Sequence, residues 1–319
     1  MGQAAFGILH LTALCWSELV PELVIDPRNA DLGGGFAVKR ILPFRQRRMV
    51  GPFIFLDHAG PLTLPSERLR AADVRPHPHI GLSTVSYLFA GAITHRDSLG
   101  VEQVIEPGAV NWMTAGRGIA HSERFDAPGS STPGFEMIQS WVALPDRDEE
   151  CAPAFDHYAA EQLPESEENG VWTRLIAGTA FGLASPVRTH SPLFYLHVVL
   201  QAGARIDLPR DCPERAAYIA HGTVEVDGRP YTAGQMIVFG REEQAVISAN
   251  GTATVMLLGG EPLGERFIWW NFVSSRKERI EQAKADWKAG RIALPPNDNR
   301  EFIPLPQDRA KPVPPEPIS

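Results

Sequence analysis

Across residues 76–123 no apolar period is sustained long enough for a helix. Apolar segments at 82–89, 91–96 and 101–105 are cut by Ala90-Gly91, Asp97-Ser98-Leu99-Gly100 and Pro107-Gly108. Runs of that length between Gly, Pro, Asn and Asp are strands joined by tight turns, so this stretch must build a sheet from near neighbours. It opens with His77-Pro78-His79 and closes with His121-Ser122-Glu123. Side chains alternate faces along a strand, so His77 and His79 share one face and His121 and Glu123 share another. Each pair is a two-pronged claw. The same parity, carried onward without a bulge, puts Gly81, Ser83, Val85 and Tyr87 on the face of His77 and His79.

The flanking chain reads the same way. Glu22 to Asp26, Phe36 to Pro43 and Pro52 to Pro61 are short strands and turns, with Gly33-Gly34-Gly35 between the first two. Asp57 and His58 end the third run, either as a dyad beside a pocket or as a hydrogen-bonding pair at a strand end. After Trp112, the loop Thr114-Ala115-Gly116-Arg117-Gly118-Ile119-Ala120 delivers His121 and Glu123, and a polar turn follows at 128–134. Strands resume at 137–144. Residues 145–170 are acidic and rich in Pro and Glu, including Glu165, Glu167 and Glu168, and read as an exposed crossover.

Further strands are expected at 172–177, 193–200, 205–208, 216–220, 223–226, 235–239 and 253–258. Ala217 to Val224, followed by Ala233-Gly234, weakly repeats Ser86 to Ile93, followed by Pro107-Gly108. The second copy has no HxH and no HxE, so one metal site is expected in two barrels. The expected organisation is an N-terminal metal-binding barrel at 1–145, an acidic crossover at 146–170, a metal-free barrel at 171–265, and a helix with tail at 266–319. In the last unit Ser275 and Glu278 read as a capping box, Ile280, Ala283 and Trp287 as the buried face, and Gly290 as the stop. Trp269 and Trp270 read as packing anchors, and the Pro-rich tail from Lys311 as disordered.

Composition excludes several classes. The 319 residues carry 44% hydrophobic side chains and a formal charge of −8, which gives no electrostatic attraction to nucleic acid or an anionic membrane. The cluster Lys39, Arg40, Arg45, Arg47 and Arg48 is too short and mixed to change that. Cys15, Cys151 and Cys212 form no CxxC pair, which argues against a disulfide framework or a zinc knuckle. The N-terminus has no basic start, and no run approaches the ~18 to 20 apolar residues of a membrane span, so a cytoplasmic protein is expected.

If the sheet brings the claws together, His77, His79, His121 and Glu123 offer three neutral imidazoles and a carboxylate to one ion. That set suits Fe(II), Mn(II), Ni(II), Cu(II) or Zn(II), and an octahedral ion would keep two positions for water, O2 or a chelating substrate. No cysteine lies near the claws, which places redox-capable iron first. His58 and His95 have no assigned role at this level.

The sequence resembles the pirin family of the cupin superfamily over most of its length. The likeness is carried by Phe55-Leu56-Asp57-His58-Ala59-Gly60-Pro61, His77-Pro78-His79-Ile80-Gly81, His95-Arg96-Asp97-Ser98-Leu99-Gly100 and the run from Pro107 to Glu123. The resemblance implies an all-β bicupin: two jelly-roll barrels packed face to face, with iron in the first, held by His77, His79, His121 and Glu123. The general cupin pattern has a glutamate four residues after the second histidine; this chain has Ser83 there, leaving Glu123 as the carboxylate. The segment 269–279 is similar to bacterial pirin-like proteins. Two functions follow from the resemblance. One is a quercetin 2,3-dioxygenase, with a flavonol chelated through its 3-hydroxy and 4-oxo oxygens, Glu123 or a nearby base taking the hydroxyl proton, and O2 opening the ring with loss of carbon monoxide. The other is a redox-sensing protein that binds a transcription factor or metabolic enzyme as its partner, for which Arg117 with Arg45 to Arg48 would be the exposed patch.

Overall fold

The computed structural model describes residues 21–31, 37–63, 72–127, 134–241 and 243–306. The triple glycine at 33–35, most of the 128–134 turn, Cys15 and the tail from Lys311 lie outside the described residues. Two antiparallel double-sheet barrels of jelly-roll type account for nearly all the strands. In the first, a seven-stranded sheet runs in the order Ala154–Tyr158, Val110–Thr114, Leu82–Ala90, Phe135–Ala143, Phe53–Leu62, Ala37–Leu42, Arg28–Asp31. A four-stranded sheet, Val74–His79, Ile119–Arg124, Ile93–Asp97, Glu102–Ile105, faces it.

The second barrel repeats the plan. Its large sheet contains Met236–Phe239, Glu214–His221, Ala253–Gly260, Leu193–Leu200 and Val171–Ala180 in that order, and its small one Arg205–Asp207, Val246–Ser248, Thr223–Val226 and Arg229–Thr232. Its interior is filled by Leu196, Val198, Ile219, Ile237, Val255 and Leu257, all fully buried. An apolar filling of this kind offers a metal ion no ligand.

The chain passes between the barrels more often than a simple tandem would. Leu23–Ile25 adds to the edge of the second large sheet, with Leu23 opposite Val238, before Arg28–Asp31 pairs in the first. The acidic segment is also divided: Ala154–Tyr158 pairs with Val110–Thr114 of the first sheet, whereas Glu165–Glu168, exposed throughout, pairs with Val171–Ala180 of the second. Between the barrels the two large sheets bury a shared core that includes Phe53, Val85, Tyr87, Trp112 and Ile138 from the first and Tyr195, Tyr218, Met236 and Leu258 from the second. The tyrosines span this contact, with Tyr195 bonded to Ser140 Oγ at 3.0 Å and Tyr87 to His197 Nδ1 at 2.9 Å.

Helix α1 is Lys277–Lys288, with Arg276 at its N-cap, one residue later than a Ser275 cap requires. Ser275 is committed elsewhere: its N–H and hydroxyl both donate to the buried Glu149 carboxylate, at 2.7 and 3.2 Å. The expected face is correct, since Ile280, Ala283 and Trp287 are buried against Ile80, Ala120 and Phe272. Gly290, at φ +67°, ends the helix in the left-handed conformation that favours glycine. No helix among the described residues is long and apolar enough to cross a membrane.

Candidate metal centre

The strand Val74–His79 contains Pro76 and Pro78, which cannot donate to a sheet ladder, and it accordingly occupies an edge. Ile119–Arg124 lies beside it with His121 opposite His77 and Ile119 opposite His79. The register then slips by a bulge, so that Glu123 stands opposite Val74 and the extra residue falls between Val74 and His77. Both claws thereby face the barrel interior. The rings of His77 and His121 are 4.4 Å apart by centroid, and each is 5.0 Å from that of His79. One nitrogen from each of the three lies within 4.8 Å of the others.

The hydrogen bonds aim these rings. His77 Nδ1 donates to the Arg75 carbonyl at 2.9 Å, leaving Nε2 free. His121 Nδ1 is 3.3 Å from His95 Nδ1, leaving its Nε2 without a partner. Neither nitrogen of His79 is hydrogen bonded, with the Asn271 backbone facing it more loosely, and Glu123 Oε1 is likewise unpartnered although buried. Buried polar atoms left without partners cost about 1 to 3 kcal/mol each, so several converging on one point indicate a cation-binding position. The donor set thus fits a divalent transition metal, with neutral imidazoles and a carboxylate as ligands.

Burial also sets the charge states. It holds His77 down at about 4 and keeps His79 and His121 well below the ordinary imidazole range, with the neighbouring imidazoles adding to the effect. All three are therefore neutral, with lone pairs available. Burial pushes Glu123 up to about 7, partly offset by the hydroxyl of Ser86, which itself donates to Gln139 Oε1 at 2.8 Å.

The histidines and Glu123 form the floor of a cavity of about 340 Å³, whose walls include Phe55, Trp141, Met137 and Trp270. Phe55 and Trp141 are stacked at 4.0 Å. Arg40 grips Asp57 through two hydrogen bonds of 2.9 and 2.8 Å and lies over the Phe55 ring, placing a half-buried ion pair on the wall. Burial raises the Asp57 carboxyl, and Arg40 opposes that rise. A strap from the C-terminal segment crosses both ligand strands. Asp298 accepts from Ser122 Oγ at 2.6 Å and from Arg124 Nε at 2.7 Å, while Ile303, also on the cavity wall, donates its N–H to the Pro76 carbonyl at 2.8 Å.

Several sequence expectations change here. Ser83 does not face the centre; its hydroxyl pairs with Thr114 Oγ1 at 3.1 Å. Gly81, at φ +67°, bends the chain between the two sheets, and an added Cβ would run into the Val273 carbonyl, so parity does not carry from His79 to Ser83. Val85 and Tyr87 point to the inter-barrel core and Ser86 points inward. Asp57 and His58 form no dyad and end no strand, since Phe53–Leu62 runs through them: Asp57 lines the cavity, and His58 faces the other barrel through Tyr218. Trp269 packs beneath α1, but Trp270 reaches the cavity as well. Arg117 is exposed, and Arg47 pairs with Glu22 and Glu214; neither lines the cavity.

His95 is the functional residue that the spacing argument left unplaced. Its Nε2 bonds Asp97 Oδ2 at 3.1 Å and its ring stacks on Phe155 at 4.5 Å, so it is a fixed prop for His121. His95 and Asp97 stand two apart on one strand, and the alternation that pairs His77 with His79 carries the signal for them too.

Comparison with known proteins agrees with this fold. A Pirin-like protein of Caulobacter vibrioides is 58% identical over 90% of this chain and 99% of its own length. A crystal structure of quercetin 2,3-dioxygenase from Acinetobacter baumannii superposes with a TM-score of 0.80 at 35% identity, covering 89% of this chain and 94% of that one. The bacterial pirin YhhW of Escherichia coli, solved in complex with nickel(II), shares the fold at a TM-score of 0.58 and 17% identity, over 75% of this chain and 99% of its own. Residues 35–142 match the Pirin family and residues 195–293 the Pirin C-terminal cupin domain. With both halves matched and a full-length relative at this identity, the chain belongs to the pirin family.

Proposed function

We propose that this pirin is a mononuclear metal dioxygenase of the quercetinase type, acting on a flavonol presented through its 3-hydroxy and 4-oxo oxygens. The observation that carries the reading is the convergence of unpartnered buried donors from His79, His121 and Glu123 on the floor of an aromatic-walled cavity. His77, His79, His121 and Glu123 would hold the ion, Fe(II) foremost and Mn, Ni, Cu or Zn after it, which supplies Lewis-acid polarisation of chelating oxygens and, when redox-active, access to O2 chemistry.

The chain's own residues supply the rest. A volume of about 340 Å³ falls at the lower end of small-molecule pockets, roughly 300 to 1,000 Å³, and suits one planar aromatic ligand. Phe55 and Trp141 present the apolar wall against which a flat ring system packs. The Arg40–Asp57 pair on the same wall offers polar contacts to ring hydroxyls. Glu123 is the base for the 3-hydroxyl proton, since an ion held by it and the three histidines would keep its carboxylate ionised. The net reaction adds both atoms of O2 to the opened ring and releases one carbon as carbon monoxide.

The test is aerobic incubation of iron-loaded protein with quercetin, following loss of the flavonol band and release of carbon monoxide. Turnover that requires the metal is the expected result. Absence of both signals at full metal occupancy would overturn the assignment.

A further inference from the structure

The strands that carry Asp57 and Met137 toward the metal centre turn His58 and Glu136 to the opposite face, where the second barrel packs. There His58 Nε2 and His221 Nε2 each lie 2.8 Å from the same oxygen, Glu136 Oε1. His58 and Glu136 belong to Phe53–Leu62 and Phe135–Ala143 of the first barrel, and His221 ends Glu214–His221 of the second. Ligand atoms from all three lie within 4.8 Å of one another. We propose that His58, Glu136 and His221 form a second divalent-cation site, which takes a Zn(II)-like ion and pins the two barrels together.

The chemistry and surroundings support this. Two imidazoles and a carboxylate are a set that binds Zn, Co, Ni or Cu with room for water. The other nitrogen of His58 is held by Tyr218 Oη at 2.7 Å, an orienting contact of the kind that metal-bound histidines make through their second ring nitrogen. The phenol can accept from Nδ1–H, which fixes the tautomer that exposes the Nε2 lone pair. With ligand distances of about 2.0 to 2.1 Å, two donors on a tetrahedral ion stand about 3.3 Å apart, so each 2.8 Å contact must open by about half an ångström. His221 can yield its share of that distance, because its side chain is 42% exposed, while the His58 contact, 1% exposed on the histidine side, opens only by a shift of the Glu136 carboxylate. The exposed side also gives the ion a route in.

The groups facing the triad are known. Lys39, opposite His58 across the sheet, is the positive charge that acts on both imidazoles, and Glu136 is the negative charge between them. Phe89 packs its ring edge-on at 6.1 Å from His58 and 5.9 Å from His221, closing the apolar side. His197 lies behind Phe89 and bonds Tyr87, so it is not a fourth ligand in this arrangement. Without an ion the triad is a hydrogen-bonded bridge, and that alternative binds no metal.

Metal-free full-length protein is titrated with Zn(II), with stoichiometry read by calorimetry and by elemental analysis after dialysis. Wild type should bind two equivalents. His221→Ala and Glu136→Gln should each bind one, His79→Ala should bind one, and the double variant His79→Ala/His221→Ala none. In the His79→Ala background Zn(II) should raise the melting temperature, and His221→Ala should abolish that rise. The proposal is overturned if His221→Ala and Glu136→Gln both bind as many equivalents as wild type. A failure of the His77 centre looks different: His79→Ala would then leave the count unchanged while His221→Ala still removed one.

Discussion

His95 Nδ1 faces His121 Nδ1 at 3.3 Å, while Asp97 holds the far side of the His95 ring. Because the two δ nitrogens share one proton between them, the ε nitrogen of His121 is the one turned toward His77 and His79. The residue that aims a ligand is therefore itself a histidine, propped in turn by a carboxylate.

Replacing His95 with alanine removes the prop without removing a donor. Metal affinity is expected to fall about 10- to 100-fold, the usual cost of losing an outer partner of a metal ligand, with the fold intact by circular dichroism. Chelator competition measures it. An unchanged affinity would assign His95 to packing alone.

The charge states predict how binding at this centre depends on pH. In the ion-free protein Glu123 titrates near 7, raised by burial from its ordinary value of 4.5, while His77 titrates near 4. Between 4.5 and 7 the folded metal-free protein therefore holds a proton that the unfolded chain has lost. Glu123 therefore contributes stability that falls as pH rises from 4.5 to 7, whereas His77, His79 and His121, neutral when folded, contribute in the opposite sense up to their ordinary value of 6.5. An ion must displace the same proton, so its affinity should rise with pH by up to about tenfold per unit below 7 and level off above. Calorimetric Zn(II) titrations from pH 5 to 8 test this in the His221→Ala background. Glu123→Gln should bind more weakly and lose the slope, and a slope that survives in it would reassign the titrating group.

Trp287 joins helix α1 to the strap: it is 6% exposed, and its indole N–H donates to the Ile303 carbonyl at 3.0 Å. Trp287→Ala should cost about 3 to 5 kcal/mol, as large-to-small changes at buried aromatic sites do. Urea unfolding would show it as a lower midpoint. A shift below 1 kcal/mol would mean that the helix contributes little to the packed structure.

How much of this is legible in the sequence depends on where local rules hold. His77, His79, His121 and Glu123 could be paired from spacing alone because each pair lies within one strand, where alternation is rigid. Ser83 could not be placed, since one left-handed glycine at position 81 resets the alternation before the next strand begins. Asp57 and His58 look like one unit in sequence, yet the pleat sends them to different barrels. The contact of Glu136 with His221, and that of Ser275 with Glu149, join residues far apart in the chain. No local period encodes either pairing. The helix face was readable from its period, whereas its start depended on a buried glutamate elsewhere.

The strap ties Asp298 and Ile303 to both ligand-bearing strands, one through Ser122 and Arg124, the other through Pro76. Residues far downstream in the chain thus share in the stiffness of the centre. A deletion that stops short of Asp298, or an affinity tag fused immediately after Ile303, amounts to a lesion in the metal centre. Metal content lost from such a preparation would report on where the chain was cut and say little about the ligands themselves.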